Sequence, residues 1–176
     1  MRIVRVDAGW WRAVQAIRLA ALRDCPDAFT ATLAEESAFS EQVWRARLED
    51  PRIATFVALA DDEDNVPAPT GTGLDGGLVG LATAADYDGV AGAAGLFGLW
   101  VEPSARGRGL SRMLIDAASD WARAQGYERL MLDVGVWNSA ARRLYEQVGF
   151  TTTDVFTPMP TPREHLVEER MALDLG

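Results

Sequence analysis

The sequence predicts an α/β or α+β domain built on a mixed sheet, and three observations carry that prediction. The apolar period changes along the chain, from short strand-like runs to a 3.6-residue repeat at Leu110–Ala122 and back again. The inferred order is strand, two helices, three strands, helix, strand, helix, two strands, which is an α/β pattern. The length, 176 residues, suits one domain with a sizeable core.

Each element has its own justification. Arg2–Val6 alternates apolar and charged residues and reads as a strand, and Asp7 can cap the helix after it. Trp10, Val14, Ile17 and Ala21 line one helical face, which must end before Pro26. After a loop at Pro26–Phe29, a second helix covers about Ser40–Leu48, with Ser40 as cap. Ile53–Ala60 is a partly β-branched strand. Asp61–Gly77, rich in Asp, Pro, Gly and Thr, is expected to be a mobile hairpin connection within one domain spanning 1–176. Leu78–Ala85 and Gly95–Val101 are the next strands. Leu110, Met113, Leu114, Ala117, Ala118 and Trp121 mark the strongest helix, ended by Gly126. Arg129–Val136 is a strand, Asn138–Val148 a helix capped by Asn138 and closed by Gly149, and Phe150–Phe156 and Leu166–Leu173 are the last strands.

Composition removes several function classes. A net charge of -9 argues against a nucleic-acid surface, and all 17 basic residues are arginine. One cysteine, Cys25, excludes a disulfide framework. One histidine, His165, excludes a histidine-rich metal site and weakens any histidine triad, so no metal is expected. No apolar run approaches the ~20 residues of a membrane span. Without a signal-like N-terminus, a cytoplasmic protein is expected.

The most informative segment is Trp100–Ser111, where a strand ends, a Gly- and Arg-rich turn follows and the best helix begins. Free amides at a helix start, with glycines that let a ligand approach, make an anion site suited to phosphate. Arg106, Arg108 and Arg112 add three cations. Spacing alone leaves open a plain turn with arginines for solubility. The segment is neither a Walker loop nor a dinucleotide fingerprint.

Arg106-Gly107-Arg108-Gly109-Leu110-Ser111 resembles the acyl-CoA signature of the GNAT superfamily of N-acetyltransferases, Gln/Arg-x-x-Gly-x-Gly/Ala, with Ser111 as a small departure. Asn138–Phe150 is similar to that superfamily's second motif, Asn-x-x-Ala-x-x-Leu-Tyr-x-x-x-Gly-Phe, and Arg18–Phe29 is similar to a stretch common in bacterial members. The resemblance implies a mostly antiparallel seven-stranded sheet with about four helices. It also implies a V-shaped split between the fourth and fifth strands, where acetyl-CoA lies. Leu99, Trp100 and Val101 then match a bulged strand end whose backbone holds the pantetheine arm. Arg106, Gly107, Arg108, Gly109, Leu110, Ser111 and Arg112 match the pyrophosphate loop.

The same resemblance gives Tyr145 the role of donor to the departing thiolate, and Asn138 a contact to the CoA arm beside its capping role. The base is less defined. Asp133 stands twelve positions before Tyr145, where the ribosomal-protein N-terminal acetyltransferases carry a glutamate, and a bridging water would suit its shorter chain. Glu36 is a second option. The implied activity is direct transfer of an acetyl group to a small-molecule or peptide amine, and the acidic balance points towards cationic acceptors. The alternative is a non-catalytic acyl-CoA-binding regulatory module. A homodimer is compatible with the resemblance. Cys25 and His165 read as structural or rim residues, Trp10, Trp44 and Trp121 as core, and Trp100 and Trp137 as flanking the cleft.

Overall fold

The computed structural model describes residues 1–60 and 77–176, so the expected connection lies outside the described residues except for Gly77. Seven strands form one sheet: β1 (Arg2–Val6), β2 (Ile53–Leu59), β3 (Leu78–Asp86), β4 (Ala93–Val101), β5 (Arg129–Gly135), β6 (Thr151–Pro158) and β7 (Val167–Asp174). Their order is β1-β2-β3-β4-β5-β7-β6, and only β4 and β5 run parallel. The last strand therefore inserts beside β5 and leaves β6 at the edge.

Among the described residues five α-helices accompany the sheet: α1 (Trp11–Asp24), α2 (Leu33–Ser37), α3 (Glu41–Glu49), α4 (Leu110–Ala124) and α5 (Ser139–Val148). Helix α2 is the one that the apolar period does not mark. It has only five residues, too few to show a period, but Thr32 and Glu35 form a reciprocal capping box at its start. The predicted Pro26–Phe29 loop contains a single 3-10 turn at Pro26–Ala28.

Two cores hold the helices to opposite faces of the sheet. On one, Leu110, Leu114, Ile115, Ala118 and Trp121 of α4 pack on Phe56, Ala82, Leu96, Leu130 and Leu132. Each large aliphatic side chain buried there contributes about 1.5–3 kcal/mol. That burial fixes the helix whose N-terminus faces the site. On the other face, Val14, Ile17 and Ala21 of α1 and Trp44 of α3 pack on Val57, Leu81 and Trp100.

The parallel pair is short. Ala93, Ala94 and Gly95 register with Arg129, Leu130 and Met131, and the ladder then stops. The β3–β4 register shifts between Leu81 and Thr83, and Gly98 takes φ +64. A bulge at Gly98 thus turns β4 away from β5, which stays fully paired to β7. The implied V-shaped split opens at this point.

Candidate active site

The cradle begins where β4 runs into α4. Gly107 and Gly109 hold φ +75 and +78, backbone geometry that glycine adopts without strain. A Cβ at either would meet no protein atom within 4 Å, so the space before the loop is open to a ligand. The first intrahelical bond runs from the Met113 amide to the Gly109 carbonyl at 3.1 Å. The amides of Leu110, Ser111 and Arg112 consequently have no acceptor within the helix and point out of its positive end. These features fit a diphosphate.

The three arginines differ in what they offer. The Arg106 guanidinium is engaged elsewhere, with Nε on the Val101 carbonyl at 2.9 Å and Nη2 on Asp24. Its side chain braces the loop against the end of α1. Arg112 faces Asp116 at 3.9 Å across one exposed turn. Arg108 is exposed and makes no hydrogen bond or ion pair among the described residues, which leaves its charge available.

Beyond the loop, the split forms a cavity of about 90 Å³ lined by Gly98, Leu99, Asp133, Val134, Asn138 and Tyr145, among others. Leu99 is partly buried and lines this cavity, whereas Trp100 and Val101 are core side chains. The Trp100 indole donates to Asp24 at 2.9 Å, which makes it a brace and not a pocket wall. The Asn138 Oδ1 caps α5 by accepting from the Ala141 amide at 3.2 Å. Its NH₂ has no partner among the described residues and remains free for a ligand. Trp137 is 41% exposed and lies over Gly135, where a Cβ would fall 2.4 Å from its ring. It shapes the mouth, as expected.

Tyr145 and Asp133 approach this cavity from opposite faces of the sheet. Tyr145 stands edge-on to Phe150 at 5.6 Å and packs with the α4 side. Its hydroxyl has no hydrogen-bond partner among the described residues, and burial pushes its pKa up to about 12. Asp133 alternates with Leu132 and Val134 and faces the other way. Both its oxygens are engaged: one accepts from the Tyr87 hydroxyl, the other from Arg170 Nε at 3.2 Å. Burial and the Asp133 hydrogen bond raise the Tyr87 pKa, keeping the phenol protonated. Glu168, two residues from Arg170 on β7, has its pKa raised by burial and then by the Asp133 charge. It binds a proton more readily than an ordinary glutamate.

Glu36, the other acid considered as a base, is only 3% exposed and grips Arg18 through both oxygens at 3.0 Å. It is a structural ion pair. Burial and the neighbouring Asp24 carboxylate raise the Cys25 thiol, so it is a poor nucleophile. His165 is exposed.

Three contributors escaped the sequence reading. Tyr87, just past β3, reaches Asp133 through its hydroxyl, and Glu168 comes beside Asp133 through the pairing of β5 with β7. Arg163 bridges the β6–β7 loop to the α1–α2 connection through the carbonyls of Pro26, Phe29 and Thr30 at 3.1, 2.9 and 2.6 Å. No local pattern marks such contacts. Arg163 thus ties the β6–β7 loop to the segment whose Ala28 and Phe29 line the cavity.

Known proteins are similar to this chain in sequence and in fold. Over 67 residues the chain is 45% identical to a mycothiol acetyltransferase of Beutenbergia cavernae, covering 38% of this chain and 23% of that protein. Over 82 residues it is 38% identical to the [ribosomal protein bS18]-alanine N-acetyltransferase of Salmonella typhimurium, covering 46% and 55% of the two chains. The chain thus spans less than two thirds of the length of these relatives. In structure it is similar to spermidine N-acetyltransferase from Vibrio cholerae, solved with CoA and spermine, with TM-score 0.72 and 17% identity over 99% of this chain and 95% of the other. The model of the acetyltransferase (GNAT) family matches residues 16–150. With well over half of its length inside that match, this chain belongs to the GNAT family of acetyltransferases.

Proposed function

We propose that the protein transfers an acetyl group from acetyl-CoA to an amine nitrogen by direct attack on the thioester. The observation that carries this reading is the split between β4 and β5, with Tyr145 and Asp133 on its two faces beside the free amides of α4. Acetyl-CoA, when bound, supplies the reactive thioester. Leu110, Ser111 and Arg112 would receive its diphosphate through their amides, with Arg108 adding charge. The backbone at Leu99–Val101 and the Asn138 amide would hold the arm. Tyr145 would donate its hydroxyl to the departing sulfur. On the opposite face, the carboxylates of Asp133 and Glu168 would take the proton from the acceptor's ammonium through water, and the neutral amine so formed would attack the thioester. Glu168, with its raised pKa, is the more receptive destination.

Acetyl-CoA at about 100 times its dissociation constant should stabilise the protein by ~2.7 kcal/mol, or roughly 5–10 °C in Tm for a chain of this size. Gly109→Val should reduce that shift more than Arg108→Ala does. The valine places a β-branched side chain in the open cradle, whereas the arginine supplies a solvent-screened charge. A non-glycine residue at φ +78 also costs about 1–2 kcal/mol on its own, so each shift is read against the variant's own ligand-free Tm. An equal or larger loss for Arg108→Ala would move the binding energy from backbone to side chain. No shift at saturating acetyl-CoA would end the cofactor assignment.

A further inference from the structure

A second and larger cavity, about 400 Å³, lies on the α1–α3 side of the sheet and meets the split at Gly98, which lines both. Its walls are mainly apolar, with Trp44 and Leu48 of α3, Ile53 of β2 and Phe97 of β4. One wall is charged. Arg18 spends Nε and Nη2 on Glu36, so its Nη1 points away from the pair. That atom is buried and has no hydrogen-bond partner among the described residues, although the guanidinium stacks on Phe29 at 4.7 Å. It lies beside Gly98, 3.2 Å from where a Cβ would be. Arg47 stands behind Glu36 at 3.8 Å and stacks on Phe39. The wall therefore carries two cations and one carboxylate. The other acid lining the cavity, Asp86, lies at its far end, paired with Ala94 in the β4 register.

A buried guanidinium nitrogen without a partner is costly unless a ligand supplies an acceptor. We propose that the acceptor is an apolar α-amino acid, whose carboxylate takes Arg18 Nη1 while its side chain fills the apolar cavity. The position of Nη1 decides for an α-amine. Because it borders the split at Gly98, a carboxylate held there keeps an amine one carbon away beside the thioester. The two arginines at the Gly98 end place positive charge where the carboxylate would sit, which disfavours a second ammonium there. This assignment rests on the transferase reading and names the substrate class for the same site.

The test compares matched ligands, L-phenylalanine and phenethylamine, which differ only in the carboxylate. Calorimetric titration into the protein saturated with CoA measures affinity without turnover. Wild type should bind phenylalanine at least about tenfold more tightly, the size of one charge-assisted hydrogen bond. Arg18→Lys keeps a cation against Glu36 and should reduce that ratio to below about threefold. Arg18→Met with Glu36→Gln removes both charges together and should do the same, with a cooperative melt confirming the fold. Steady-state assays should show the loss in KM for phenylalanine, with little change for phenethylamine. Phenethylamine binding as well as phenylalanine, neither ligand binding, or equal losses for both in Arg18→Lys would each overturn the assignment. If acetyl-CoA is consumed with other amines while phenylalanine does not bind, this inference fails and the transferase reading stands. If CoA itself does not bind, the transferase reading fails, and titration into the ligand-free protein still reports on Arg18.

Discussion

Replacing Tyr145 by phenylalanine should lower turnover by roughly 10–100-fold and leave acetyl-CoA affinity within about twofold of wild type. The ring and its edge-on contact with Phe150 persist, so the fold and the cavity should survive. What disappears is a hydroxyl that meets no protein partner among the described residues and faces the split. Its pKa matters for the size of the effect. Burial raises it above that of a free phenol, and so further above that of an alkyl thiol. Complete proton transfer from the phenol to the departing thiolate is therefore uphill. The benefit comes from a hydrogen bond that strengthens as charge builds on sulfur, which places the expected loss at the lower end of general-acid effects. For the same reason, the phenol should add no alkaline limb to the rate profile below about pH 11. Turnover within about twofold of wild type would return Tyr145 to a packing role.

The largest stability effect is expected at Glu36. Glu36→Ala should cost about 3–5 kcal/mol, because it strands the Arg18 guanidinium, 15% exposed, without its carboxylate. Glu41→Ala provides the contrast. Its pair with Arg45 is about half exposed on both sides, so the loss should stay below ~1 kcal/mol. Urea unfolding of the two variants checks the difference directly. A Glu36→Ala loss under ~1 kcal/mol would mean that water reaches the pair and that the cavity wall is not a buried arrangement.

Legibility followed the strength of local signals. Helix α4 was readable because its buried stripe and the glycines before it act within one segment, and Asn138 and Gly149 bracketed α5 in the same way. Strand limits came out within two residues, as for β4, expected from Gly95 and observed from Ala93. Helix α2 was not seen, since five residues show no period and only the Thr32–Glu35 box marked it. The insertion of β7 between β5 and β6 was not legible from the residues alone, because pairing partners leave no trace in a strand's own pattern. At the site, the sequence named Asp133 and Tyr145 through the motif positions, and both line the split. It did not show that Asp133 is already bonded to Tyr87 and Arg170, that Arg106 is spent on Asp24 and Val101, or that Arg18 turns a free nitrogen towards Gly98. Apart from the Arg106–Val101 bond, 5 residues apart, and the Arg18–Glu36 pair, 18 apart, those facts depend on contacts between residues 37 to 82 apart.

The central claim, acetyl transfer at the split between β4 and β5, is tested most directly by following free thiol release from acetyl-CoA. The assay runs with an amine panel that includes apolar amino acids, polyamines, aminoglycosides and peptide N-termini, and the acetylated product is identified by mass. The account predicts thiol release that depends on the amine and matches product one for one, and that falls in Tyr145→Phe. Tight binding of acetyl-CoA with no amine-dependent thiol release anywhere in the panel would contradict it, and would make the chain an acyl-CoA-binding module.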